Sequence, residues 1–178
     1  MGEKADTNDD SIVMFLKDIT SSVLIVGVVL FTAYLISGTW PVVVAVESGS
    51  METHIREGDV VFLLGTNRMN VTTYQKGSGI DYTTFEDYGN VIVYLPNGNT
   101  EATPIIHRAM YLIDEGEIMP NGRHAPHPGY ITKGDNNMHY DQSGLLEPVK
   151  PEWVVGIAKF RVPYLGYVTL YMRHLVGL

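Results

Sequence analysis

The segment Val46-Glu47-Ser48-Gly49-Ser50-Met51 places two hydroxyls around a glycine, between runs rich in β-branched residues. Such a corner can present a hydroxyl and neighbouring N–H groups at one point. Acyl transfer needs that combination: a nucleophile, and donors for the developing oxyanion. Ser50 and Ser48 are therefore candidates, although Ser-Gly-Ser by itself is also an ordinary turn. A serine hydroxyl is unreactive near neutral pH without a base. Among six histidines, His107 stands out because it lies inside the apolar run Ile105-Ile106-His107-Arg108-Ala109. A lone histidine in a strand is commonly structural, so a catalytic reading requires a partner. A carboxylate would hold the imidazole tautomer and stabilise its cation. Asp135 and Asp141 are both candidates for that carboxylate, in a stretch that reads equally as a solvated Asp/Asn turn.

Composition removes other chemistries. The 178 residues include no cysteine, which excludes a disulfide scaffold and any thiolate nucleophile or metal site. His124, His127 and His139 are near one another in the chain, but Pro126 and Pro128 interrupt them and no ligand spacing is matched. No metal and no cofactor is therefore assigned. His54 and His174 read as surface or interfacial residues. Twenty acidic residues against 12 basic ones, with no basic run, argue against nucleic acid as a partner.

The groups that carry this chemistry need a scaffold, and the chain divides to provide one. Residues 1–18 form an acidic tail with Glu3, Asp6, Asp9, Asp10 and Asp18. From Ile19 to Val46 there is no charge. Residues 19–40 suffice for one membrane-spanning helix, since the hydrocarbon core takes about 20 apolar residues. Trp40 falls where an interfacial aromatic sits, and Pro41 discourages further helix. A buried core helix is seldom apolar on every face, and a cleaved signal peptide has a shorter apolar run after a basic start. A single uncleaved transmembrane anchor is therefore expected.

Residues 41–178 then read as a mainly β domain. Strands are expected at Val42–Val46, Asp59–Leu64, Asn90–Leu95, Ile105–Ile113, Tyr130–Lys133 and Trp153–Phe160, from their β-branched and aromatic content and the turn residues between them. The polar stretch Thr66–Gly89 is expected as a long loop or insertion with room for one short strand. It contains the sequon Asn70-Val71-Thr72, which fits an extracytoplasmic loop. Residues 162–178 are apolar but interrupted by Arg173 and His174. They fit a terminal strand, a membrane-interfacial helix or the start of a second span.

Together these pieces resemble the type I signal peptidases. Ser48-Gly49-Ser50-Met51 beside an N-terminal anchor, followed by Gly58-Asp59-Val60-Val61, is similar to the family's first block. Ile106-His107-Arg108 resembles the second block in its archaeal and endoplasmic-reticulum form, where bacterial members carry lysine. Thr132-Lys133-Gly134-Asp135-Asn136-Asn137, with Asp141 beyond it, resembles the third. Val155-Gly156 and Val162-Pro163-Tyr164-Leu165-Gly166 resemble the last. The blocks occur in the family's order over about residues 20–170. One departure is Thr53, where the family often has proline. The acidic composition points to the haloarchaeal branch.

The resemblance implies a signal-peptidase-like β domain tethered by one transmembrane helix. It implies a membrane-anchored serine endopeptidase that removes signal peptides from secreted and membrane preproteins. The catalytic domain would lie on the extracytoplasmic side of the cell membrane, with preproteins and membrane lipid as its partners. Ser50 would be the nucleophile and His107 the general base. Asp141 would orient His107, and Asp135 would support the site through its own turn or Lys133. The Ser50 N–H and the Ser48 hydroxyl would form the oxyanion hole. The competing reading is a non-catalytic extracytoplasmic β binding module on the same anchor, which would tolerate Ser50→Ala and His107→Ala.

A histidine base has a kinetic signature, because imidazole changes charge between about pH 5 and 8. Cleavage is predicted to fall on acidification as the base becomes protonated. A rate profile over that range, with chemistry rate-limiting, checks this; a flat profile would count against His107.

Overall fold

The computed structural model describes residues 6–167, with side chains from residue 11 onward. Residues 1–5 of the acidic tail and 168–178 of the apolar C-terminal stretch lie outside the described residues, so the alternatives for 162–178 are answered only up to Tyr167.

The first unit is a helix, α1, over Asp6–Ser37. It starts well before Ile19, inside the acidic stretch, because carboxylates are favoured near a helix N-terminus and nothing before Pro41 interrupts the helix. Ser11–Ser37 is long and apolar enough to cross a membrane. At 1.5 Å per residue it rises about 40 Å, more than the hydrocarbon core requires. Gly38, at a φ of +70°, ends it. A side chain at 38 would also collide with Asn67 and Arg68.

The second unit is built on a six-stranded antiparallel sheet. Its strands are β1 (Val43–Ala45), β2 (Val60–Leu64), β5 (Val91–Tyr94), β6 (Ile105–Ile113), β7 (Gly129–Lys133) and β8 (Val154–Val162). Spatially they run β1-β2-β8-β5-β6-β7. All six fall on the stretches expected from the sequence. The late strand β8 therefore enters the middle of the sheet, between β2 and β5.

The burial of β5 follows from that position. Val91 and Val93 join one apolar cluster with Met51, Ile55 and Leu63, while Ile92 and Tyr94 join another with Ala109, Val149 and Ile157. A strand covered on both faces carries apolar residues without alternation, and the run Val91-Ile92-Val93-Tyr94 has that form. His107 pairs with Ile92 across the β5–β6 ladder, and Arg108 pairs with Lys133 across β6–β7.

The stretch Thr66–Gly89 is not the loop expected. It holds a short helix, α2 (Tyr74–Ile80), and a hairpin of β3 (Thr83–Thr84) with β4 (Asp87–Tyr88). Thr73 caps α2 by accepting from the Lys76 N–H, and Asp81 closes it in the left-handed region. The hairpin is organised from outside its own sequence. Arg108 Nη1 lies 3.0–3.3 Å from the carbonyls of Thr84, Asp87, Tyr88 and Gly89. A polar loop whose carbonyls find a buried guanidinium has no remaining reason to stay open.

Ile157 is fully buried and stands between Leu64 and Ile92 in the two ladders of β8. Ile157→Ala is predicted to cost about 2–5 kcal/mol through lost burial and a residual cavity. Thermal unfolding in detergent should show Tm lower by roughly ten degrees.

Candidate active site

The sequence candidates arrive from separate elements. Ser50 sits in a 3₁₀ turn, Gly49–Met51, at the far side of the loop from β1 to β2. Main-chain bonds close the loop base, Val46 N–H to Asp59 and Gly58 N–H to Val46, each 2.9 Å. Met51 and Ile55 are fully buried and pin the turn to the core. The apolar partners of Ser50 in sequence thus fix where its hydroxyl stands.

His107 comes from β6 and Asp141 from a 3₁₀ turn, Asp141–Ser143. Ser50 Oγ is 2.9 Å from His107 Nε2, and His107 Nδ1 is 2.7 Å from Asp141 Oδ2. A carboxylate only accepts, so the imidazole carries its proton on Nδ1, and the Ser50 hydroxyl donates to Nε2. Ser48 Oγ lies 3.3 Å from Ser50 Oγ. With the Ser50 proton directed at His107, Ser48 is the donor of that pair. The array can transfer a proton from Ser50 to His107 while a buried carboxylate faces the cation that forms.

Asp135 is placed elsewhere. Its side-chain bonds go neither to His107 nor to Lys133, one of the two supports expected for it. Arg108 holds it bidentately, with Nε 2.8 Å from Oδ1 and Nη2 2.7 Å from Oδ2. The planar guanidinium fork matches both carboxylate oxygens, which an ammonium cannot do. His54 Nδ1 is also 2.8 Å from Asp135 Oδ2, so His54 is a partly buried partner rather than a surface residue. Neighbouring residues on β6 point to opposite faces, so His107 reaches Asp141 and Arg108 reaches Asp135.

Several contributors were not legible in the sequence. The turn after β7 grips the serine loop: Asn136 N–H donates to the Ser50 carbonyl at 2.9 Å, and Asn136 Nδ2 to the Gly49 carbonyl at 3.1 Å. Gly134 makes this approach possible. A Cβ there would stand 2.6 Å from the Ser50 carbonyl and 2.8 Å from His107 Nε2. The Gly-Asp-Asn-Asn composition signalled a turn, but not which loop it would face. Around Asp141 stand Tyr94 and Thr132, whose hydroxyls lie 2.8 and 2.6 Å from Oδ2. Nothing in their strand sequences marks them as polar partners of a distant aspartate.

Electrostatics follow from this packing. Burial pushes the Asp141 carboxyl up, but the hydrogen bond and charge of His107, with the hydrogen bonds of Thr132 and Tyr94, outweigh it and hold Asp141 below the usual carboxylate range. Burial, reinforced by the Asp141 charge, pushes the Tyr94 hydroxyl far up, so it remains a donor. A cleft of about 910 Å³ opens beside the array. It is lined by Val44 to Ser48 with Ser50, by Glu101 to His107 and by Val93. Among the described residues β1 pairs only with β2, so its other backbone edge is unpaired within the sheet, and its residues Val44 and Ala45 line the cleft. His127 faces Glu147 at 3.1 Å, and His124 Nδ1 bonds the Gly116 carbonyl, while His174 lies outside the described residues.

No family model matches the chain. Curated relatives do. The chain is 34% identical over 154 residues to the signal peptidase complex catalytic subunit SEC11 of Schizophyllum commune, covering 78% of this chain and 68% of that protein. It is 31% identical over 134 residues to the protein of the same name in Saccharomyces cerevisiae, covering 73% of this chain and 65% of that protein. The match thus spans just under two thirds of the length of the second relative.

The depressed Asp141 carboxyl links the site to stability. A group whose pKa is lowered on folding contributes fully above its unfolded value, here 3.8, and loses that contribution as pH falls through its lower folded value. Denaturant unfolding between pH 6 and 2 should therefore show stability falling in the window below 3.8, and falling less steeply in Asp141→Asn.

Proposed function

The chain belongs to the family of signal peptidase catalytic subunits, the endoplasmic-reticulum and archaeal type of type I signal peptidase, and from that premise we propose that it is a membrane-anchored serine endopeptidase that cleaves signal peptides from preproteins. The observation that carries the reading is the continuous path Ser50 Oγ–His107 Nε2 and His107 Nδ1–Asp141 Oδ2, at 2.9 and 2.7 Å. A hydroxyl, a base and a buried carboxylate in this order are what serine-based peptide hydrolysis needs.

The chemistry balances in two halves. Ser50 Oγ attacks the carbonyl carbon of the scissile peptide, and its proton passes to His107 Nε2. The carbonyl oxygen becomes an oxyanion, received by the Ser50 N–H and the Ser48 hydroxyl. The tetrahedral adduct collapses with rupture of the C–N bond, and His107 gives its proton to the leaving amine. The signal peptide is then an ester on Ser50. Water attacks that ester, His107 takes a water proton and returns it to Ser50 Oγ, and the peptide leaves as a carboxylate. Through both halves Asp141 faces the imidazolium. Asp135 supports the serine loop through His54 and its turn, and does not touch His107.

Substrate and placement follow the same reading. The cleft walls are Val44, Ala45 and Val46 opposite Ala102, Ile105 and Ile106, which suits an extended chain with small apolar side chains. The free edge of β1 supplies main-chain groups for such a strand. α1 acts as the anchor, with the β domain on the extracytoplasmic side, where signal peptides emerge. Tethering raises the effective concentration of the site for a membrane-bound substrate.

The test is cleavage of a membrane-inserted preprotein by the full chain and by Ser50→Ala. Loss of a nucleophile in such an array removes nearly all turnover, on the order of 10⁶-fold in kcat. Specific cleavage should disappear while the thermal transition is retained. Equal cleavage by both proteins would remove Ser50 as the nucleophile, and no cleavage by either would favour the non-catalytic module.

A further inference from the structure

The Asp141 carboxylate is served by more than His107. Three donors converge on its Oδ2: His107 Nδ1 at 2.7 Å, Thr132 Oγ1 at 2.6 Å and Tyr94 OH at 2.8 Å. Tyr94 and Thr132 come from β5 and β7, the two strands that flank β6. Both residues are buried, at 1% and 0% exposure. Their hydroxyl oxygens are 3.1 Å apart, so each could in principle bond the other instead of Asp141.

Charge and distance resolve that ambiguity, and Gln142 holds Thr132 in place. It is fully buried, accepts the Thr132 N–H at 2.9 Å and directs its Nε2 at Thr132 Oγ1 at 3.3 Å. Its Nε2 also reaches the Glu147 carbonyl at 3.3 Å, which fixes the amide orientation. With the charged Asp141 oxygen 2.6 Å from Oγ1 and the neutral Tyr94 oxygen 3.1 Å away, the single Thr132 proton goes to Asp141. The Tyr94 proton has Asp141 as its charged acceptor, and a hydrogen bond to a charged group is worth more than one between neutral groups.

We propose that Tyr94 and Thr132 are positioning residues that hold the Asp141 carboxylate in register with His107, with Gln142 holding the Thr132 N–H and hydroxyl oxygen in place. This inference rests on the serine peptidase reading of the same site. Two hydroxyl donors on one oxygen hold that oxygen in place when His107 changes charge. They also share its negative charge, so the proton on Nδ1 stays with the imidazole. Neither residue touches the substrate cleft, and neither stands among its lining.

Removing either hydroxyl leaves Asp141 with more unshared charge facing the imidazole. The imidazolium is then favoured, and the base is lost to protonation at a higher pH. The titratable groups that face this pair are few. β5 supplies Tyr94 and β6 supplies His107; β7 and the 141–143 turn supply Thr132 and Gln142, which do not titrate. Glu47 and Glu101 line the cleft on the outer side of His107 and are unchanged in every variant.

The experiment compares preprotein cleavage by the full chain with Tyr94→Phe, Thr132→Val, Thr132→Ser and Ser50→Ala, each checked for its thermal transition. Tyr94→Phe and Thr132→Val should each lower kcat about tenfold, because an Asp141 carboxylate out of register lets His107 leave its alignment with Ser50, with KM little changed. The acidic limb of kcat/KM should move to higher pH in both, and Thr132→Ser should restore rate and profile. Wild-type kcat and an unmoved limb in Tyr94→Phe and Thr132→Val, with Ser50→Ala inactive, would overturn the proposal and leave the peptidase reading intact. Lower rates with an unmoved limb, or no rescue by Thr132→Ser, would also overturn it, since they indicate packing alone. Cleavage by Ser50→Ala would instead remove the peptidase reading.

Discussion

A carboxylate taken out of water must be repaid by donors, and Asp141 is the place where this chain meets that demand. Its side chain is 7% exposed, yet its carboxyl is held below the usual range. Burial alone would push the other way. The difference comes from β5, β6 and β7, which each send one donor to the same oxygen. That convergence requires the three strands to lie side by side in register, with β5 buried on both faces. The placement of β8 beside β5 pairs its second edge. The buried charge is thus both a consequence of the sheet order and a constraint on it.

A second ionic centre holds the serine side of the array. Arg108 follows His107 in the chain and faces the opposite way. It binds Asp135 with two nitrogens and collects four carbonyls from the β3–β4 region. Asp135 in turn reaches His54, and Asn136 takes the carbonyls of Gly49 and Ser50. One dipeptide on β6 therefore ties His107 to Asp141 on one face and secures the Ser50 loop from the other. Breaking a fully buried pair of this kind is costly because the remaining charge has no water to turn to.

The two aspartates illustrate why similar residues need different partners. Asp141 receives only protons it can share with an imidazole and two hydroxyls. Asp135 receives a permanent cation. An imidazole beside Asp135 and Arg108 would face a carboxylate already neutralised by the guanidinium. An imidazole beside Asp141 faces a carboxylate whose charge remains available. The sheet separates these environments by a single residue step along β6.

The blocks around Ser50, His107 and Asp141, the apolar N-terminal helix and all six main strands were legible in the sequence. Each depends on local pattern: an uncharged run, β-branched stretches and turn residues at their ends. The same local pattern misjudged Thr66–Gly89, whose polar composition reads as a loop. Its hairpin gathers its carbonyls on Arg108, which lies in a different part of the chain. It also left Asp135 and Asp141 interchangeable, because both sit in one turn-rich stretch. The family resemblance pointed to Asp141 as the partner of His107; tertiary structure gave both aspartates their bonds, and it alone recruited Tyr94, Thr132, Gln142 and Asn136. The physical reason is that residue type and spacing set what a strand or turn can be. Which buried polar group meets which partner is set by strand order and register, and those are decided by packing between residues far apart in the chain.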